Sequence, residues 1–149
     1  MFGNKPVIIS SRVMDYTYGI ALWRIYDEKI HPVEKKVYQY GKLIVYNLFK
    51  IFVRANEELQ VESKVTHFIT LTSEHTNITI FSTKDRDMAF TTDPGCEQPG
   101  RVIIDCDINI PLQEHETKIT FTFGDTELHV FCENVKTGKV ETLILDLSK

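Results

Sequence analysis

Apolar and polar positions along this chain alternate with a period of two far more often than they recur every three or four residues. The clearest stretch is "KITFTFGDTELHVFCENVKTGKVETLILDL", from Lys118 to Leu147. Period two puts Ile119, Phe121 and Phe123 on one face of a strand, and Leu128, Val130 and Cys132 on one face of the next. Gly124–Asp125 suits a two-residue primed turn between them, and "KTG" before Lys139 suits a loop with Gly138 at positive φ. Upstream, strands are predicted over Tyr16–Trp23, Leu48–Val53, Lys64–Leu71, Asn77–Thr83 and Arg101–Ile108. "TSEHT" between the third and fourth of these reads as a short hairpin loop. "RANEE" after Val53 and "TDPGCEQPG" before Arg101 read as turn regions.

Two segments depart from this rhythm. Arg24 to Val45 is too long for a tight turn, and a compact domain rarely carries twenty residues without an element. "KKVYQYGKLIV" within it reads as added extended structure, a hairpin about Gly41. "KPVIISSRV", Lys5 to Val13, offers the best helical candidate, with proline suited to a first turn. The fold predicted is all-β: an antiparallel β-sandwich of seven or eight strands, with a short N-terminal helix.

At 149 residues the chain is long enough for one core, and 42% hydrophobic against 26% charged residues marks it as globular. A net charge of −4 supplies no field to gather nucleic acid. The lysine- and tyrosine-bearing "EKIHPVEKKVYQYGK" includes acidic residues and reads as a solvated loop. No apolar run approaches the length of a membrane span. The three cysteines, Cys96, Cys106 and Cys132, are odd in number and lack metal-ligand spacing, which favours a reducing compartment and a cytoplasmic location. The sequon "NIT" at Asn77 precedes an apolar strand and reads as chance.

Catalytic patterns are missing: no G-x-S-x-G, H-E-x-x-H, P-loop or G-x-G-x-x-G. Asp105 and Asp107 share a strand face, as paired catalytic carboxylates would, but solvated aspartates do the same. His129 alternates away from Leu128 and Val130 and has no nucleophile placed to work with it. The reading is a protein that is not an enzyme.

The closing hairpins, with "NVKTGK" as their second turn, resemble the end of the substrate-binding β-sandwich of the 70-kDa heat-shock chaperones. "SKVTHFITLTSEHTNITIF", Ser63 to Phe81, extends the likeness without gaps. "FTTDPG", "FGDTEL" and "TYGI" are similar to a divergent branch of that family, the heat-shock 70-kDa protein 12 type. "FGNKPVIISSRV" resembles the last helix of the family's preceding ATPase domain. The resemblance therefore implies that residues 1–15 are the tail of that domain and its linker, and 16–149 the substrate-binding sandwich. After Trp23 the chain carries an insertion where typical members turn tightly. "SSRVMDYTYGI" stands in place of their acidic, leucine-rich linker.

What the resemblance implies is a channel for extended apolar segments of unfolded clients. Ile78 falls on the floor of its hydrophobic pocket, and Ile20, Phe68, Ile80 and Ile119 on its wall. Trp23 and Leu71 fall where the family arches over the bound backbone. Alternation alone would place all seven equally well in ordinary core packing. The resemblance implies no cofactor in this part of the protein, and ATP only for the missing N-terminal domain, itself an expected partner. A second expectation is a non-catalytic interaction module that keeps the sandwich and binds a folded partner through the 24–45 insertion.

Overall fold

The computed structural model describes residues 11–39, 41–70, 75–105, 109–111 and 114–147. Two sheets account for most of them. One has five strands in the order β3 (Lys36–Gln39), β4 (Lys42–Val53), β2 (Thr17–Ile25), β7 (His75–Thr83) and β8 (Glu97–Asp105). The other has four: β11 (Val140–Asp146), β10 (Glu127–Asn134), β9 (Glu116–Phe123) and β6 (Ser63–Thr70). A small ribbon of β1 (Ser11–Val13) and β5 (Glu58–Gln60) completes the strands, and the strand pairings within all three sheets are antiparallel.

Alternation builds the core. Ile119, Phe121 and Phe123 of β9 and Leu128, Val130 and Cys132 of β10 are all buried, and pair across the ladder as Phe123 with Leu128, Phe121 with Val130 and Ile119 with Cys132. Opposite them lie Ile20, Phe52, Ile78, Ile80, Val102 and Ile104 from the five-stranded sheet. Phe52 stacks on Phe121 across the layers at 4.0 Å between ring centres. A smaller cluster of Phe49, Phe81 and Met88 sits apart from this core, with Ala21, Ile51 and Cys96 against it. It is closed by the connection between β7 and β8, which hydrogen-bonds to β4 at Phe49 N–H to Ala89 O, 2.9 Å, and Thr91 N–H to Asn47 O, 2.8 Å.

Several expectations change. Ser11–Val13 is a strand, so the predicted helix does not reach Val13; residues 5–10 lie outside the described residues. β6 and β7 do not form the predicted hairpin, because the two strands belong to different sheets; residues 71–74 between them lie outside the described residues. Both strands are apolar on alternate positions, and that pattern is the same whether neighbours pair or face each other. The turn region before Arg101 is shorter than predicted, since β8 begins at Glu97 and takes in Pro99 and Gly100. Proline is tolerated there because β8 is an edge strand and is bulged opposite Phe81. Gly100 lies in close approach to the other sheet: a Cβ would lie 2.8 Å from the tip of the Leu143 side chain of β11. The β9–β10 turn has its tip at Asp125–Thr126, with Gly124 N–H donating to Glu127 O at 2.8 Å. None of these residues has positive φ, so the turn is not a primed one.

The hairpin about Gly41 is present: β3 pairs with β4 from Lys36–Val45 to Gln39–Lys42, and Gly41 has φ +73°. Gly138 has φ +76° in the loop predicted for it.

Candidate functional site

Antiparallel order gathers the end of β2, the start of β4, the end of β6, the start of β7 and the β10–β11 turn at one end of the sandwich. Here the five-stranded sheet changes. β2 pairs with β7 only from Thr17–Thr83 to Ile20–Ile80. Beyond that point β2 runs on to Ile25 along β4, and β7 reaches back to His75 along β8. No backbone pairing joins Ala21–Ile25 to His75–Thr79 among the described residues. Two strand edges, each carrying N–H and C=O groups, therefore flank an opening in the sheet.

β4, on the other side of β2, is irregular here. Its register against β2 slips twice, between Tyr18 and Gly19 and between Leu22 and Arg24. At the second slip β4 has an additional residue near Asn47, whose φ is +60°, a conformation asparagine tolerates better than most side chains. Such bulges bend and over-twist the strand that carries them. Trp23 is the residue of β2 that falls at this slip, and it is half-buried.

Besides Trp23, the other six predicted residues divide three ways. Ile20, Ile78, Ile80 and Ile119 come together, each no more than 3% exposed, in the main core. Ile20 and Ile80 form the last β2–β7 pair before the opening. Phe68 does not join them. It pairs with Lys118 on the outer face of the four-stranded sheet and is 56% exposed. The inward positions of β6 are its odd-numbered neighbours: Val65 and Ile69 pack on the core, and His67 lies edge-on to Phe52 with ring centres 4.6 Å apart. One residue of register decides this, since a shift of one carries a side chain to the other face. Leu71 lies outside the described residues.

Sequence reasoning missed a polar group at the same end. His115 and Asn134 are buried, with Asn134 Nδ2 2.9 Å from His115 Nδ1. Asn134 Oδ1 accepts from the backbone N–H groups of Lys136 and Thr137, so the amide caps the β10–β11 turn. The amide therefore donates to Nδ1, which places the ring proton of a neutral His115 on Nε2. Thr117, fully buried on the inward face of β9, has a hydroxyl with no hydrogen-bond partner among the described residues. The signal was available: threonine and asparagine fall at inward positions of the strand pattern.

Two depressions among the described residues lie elsewhere. One of about 300 Å³ is on the outer face of the four-stranded sheet between Lys64, Thr120 and Phe131. The other, about 440 Å³, lies by Tyr16, Lys84 and Pro94 toward the opposite end. No group of three or more His, Cys, Asp or Glu that could hold a metal occurs among the described residues. No helix among them is long and apolar enough to cross a membrane.

This architecture is an antiparallel β-sandwich, and the chain is similar in sequence to part of two 70-kDa heat-shock proteins. It is 27% identical over 146 residues to heat shock 70 kDa protein 12A of Mus musculus and of Homo sapiens. It is 25% identical over 150 residues to heat shock 70 kDa protein 12B of Homo sapiens. Each alignment takes in 93% of this chain but 22% of the relative, so the chain spans about a fifth of the length of the curated relatives it matches. No protein-family model matches it.

Proposed function

We propose that this chain is a non-catalytic binding domain for extended, apolar segments of unfolded proteins, received at the opening between β2 and β7. The observation that carries the reading is the loss of β2–β7 pairing beyond Ile20 and Ile80, where both strands continue unpaired with each other. An extended segment laid along either edge recovers backbone hydrogen bonds with little demand on its sequence. The apolar side chains behind the opening favour an apolar guest, and burying one leucine-sized side chain contributes about 1.5–3 kcal/mol. The relationship to heat shock 70 kDa proteins 12A and 12B supports a chaperone role. ATP-dependent control would belong to a preceding domain, and the setting would be the cytoplasm under stress.

The four isoleucines are closely packed, so a guest side chain enters only if the loop end parts. The test uses Trp23, the sole tryptophan. Titration with a leucine-rich extended peptide is expected to shift its emission saturably, and a charged, scrambled peptide to leave it unchanged. Absence of saturable binding, checked with a labelled peptide, overturns the reading.

A second reading rests on the β2–β4 excursion. Ile25, Ile30, Val33, Val37, Tyr38 and Leu43 are all more than 40% exposed. Such a concentration on one projecting segment suits capture of a folded partner. Replacing residues 27–41 by a short turn separates the two readings: peptide binding persists under the first, and partner capture disappears under the second.

A further inference from the structure

The inward face of β9 is apolar at Ile119, Phe121 and Phe123 and then polar at Thr117, the next inward position toward the loop end. Its neighbours across the ladder are Ile69 on β6 and Asn134 on β10. Ile69 offers no polar side-chain atom. The Asn134 amide is directed to His115 and to the backbone of Lys136 and Thr137. The Thr117 hydroxyl is thereby left buried with no partner among the described residues. Valine has nearly the same shape, fits a strand at least as well and leaves no polar group unpaired. A buried hydroxyl at such a position is suited to a partner from outside the described residues.

We infer that Thr117 is a specificity-determining residue of the proposed peptide site, its hydroxyl hydrogen-bonding the backbone of an extended segment that enters at the loop end. This rests on the peptide-binding reading. Thr117 lies two residues from Ile119, on the side of the loop end, so a segment whose side chain reaches Ile119 carries its backbone past Thr117. A hydroxyl both donates and accepts, and it can serve a carbonyl or an N–H without regard to the guest's sequence. The apolar core selects the guest side chain, and Thr117 rewards an extended main chain beside it.

The test compares Thr117→Val and Thr117→Ser with the unaltered chain, measuring affinity for a labelled leucine-rich peptide and the thermal midpoint of the free protein. Thr117→Val is expected to weaken binding roughly three- to tenfold, the worth of one net hydrogen bond, with a thermal midpoint unchanged or higher. Thr117→Ser is expected to restore affinity. Equal affinity in the valine variant overturns the inference, as does a lowered midpoint, which would show the hydroxyl bonded within the free protein. If the unaltered chain binds no peptide, the peptide-binding reading itself fails, and the two failures are told apart by that control.

Discussion

Cys132 is 1% exposed on the inward face of β10, where burial, and then the Glu141 carboxylate, push its thiol up to about 12. Almost none of it is thiolate at neutral pH, and the thiolate is the reactive form. Brief iodoacetamide treatment of the native protein, read by peptide mass spectrometry, should leave Cys132 unmodified, and prior unfolding should make it fully reactive. Cys96 is only partly buried, and burial with Asp93 and Glu97 raises it too, so it should react slowly but ahead of Cys132. His67 moves the other way. Burial, and then the Lys50 ammonium, lower it from its ordinary 6.5. Protonation therefore favours the unfolded chain: the stability this residue contributes is present above about pH 6.5 and is lost as pH falls through the lowered value. Urea midpoints at pH 7.5 and 5 should show the decline, and His67→Gln should make it shallower. The same strand shows where the sequence was legible and where it was not. The apolar character of β6 was plain from "VTHFIT", but Phe68 is its bulkiest residue and lies outside, while His67 lies inside. Bulk and hydrophobicity pointed one way and register the other, and register is set by the ladder with β9.

Among the elements, β9 and β10 were readable almost residue by residue because each has one dry face and one wet one. β6 and β7 were readable as strands but not as members of separate sheets, since sheet membership depends on distant partners. The opening between β2 and β7 could not be read at all: where a strand stops pairing with its neighbour, as where β4 slips register against β2, is not revealed by alternation. Gly19 sits beside the first of them. A Cβ there would lie 2.0 Å from the Lys50 backbone oxygen and 2.7 Å from the Phe49 ring. Backbone cannot yield as a side-chain tip does, so Gly19→Ala should cost about 3 kcal/mol or more in urea unfolding. A smaller loss would mean that β2 and β4 can separate locally without harm.

For the whole molecule, these features imply an uneven distribution of stability. Amides of β9 and β10, paired on both sides over a dry core, should exchange with deuterium only through global opening. Amides of Ala21–Ile25 and His75–Thr79 that point into the opening should exchange much faster, and a bound apolar peptide should slow them. Hydrogen exchange measured by mass spectrometry with and without peptide checks this; equal protection at both ends would contradict it. The contrast explains how one small domain can hold a firm scaffold and a yielding mouth within the same two layers.

The connection between β7 and β8 crosses from those strands to β4, bonded at Asn47 and Phe49 and anchored by Met88. It thus spans β2 from outside, joining the two halves of the sheet that the opening divides. A strap in that position fixes a pivot. Were the halves to swing apart at the loop end, these bonds would resist sliding, and the Phe49–Phe81–Met88 contact would be stretched as they parted. On the proposed peptide-binding reading, the domain would work as a spring clip, gripping a guest with a force set on the far side of the sheet, by residues it never touches.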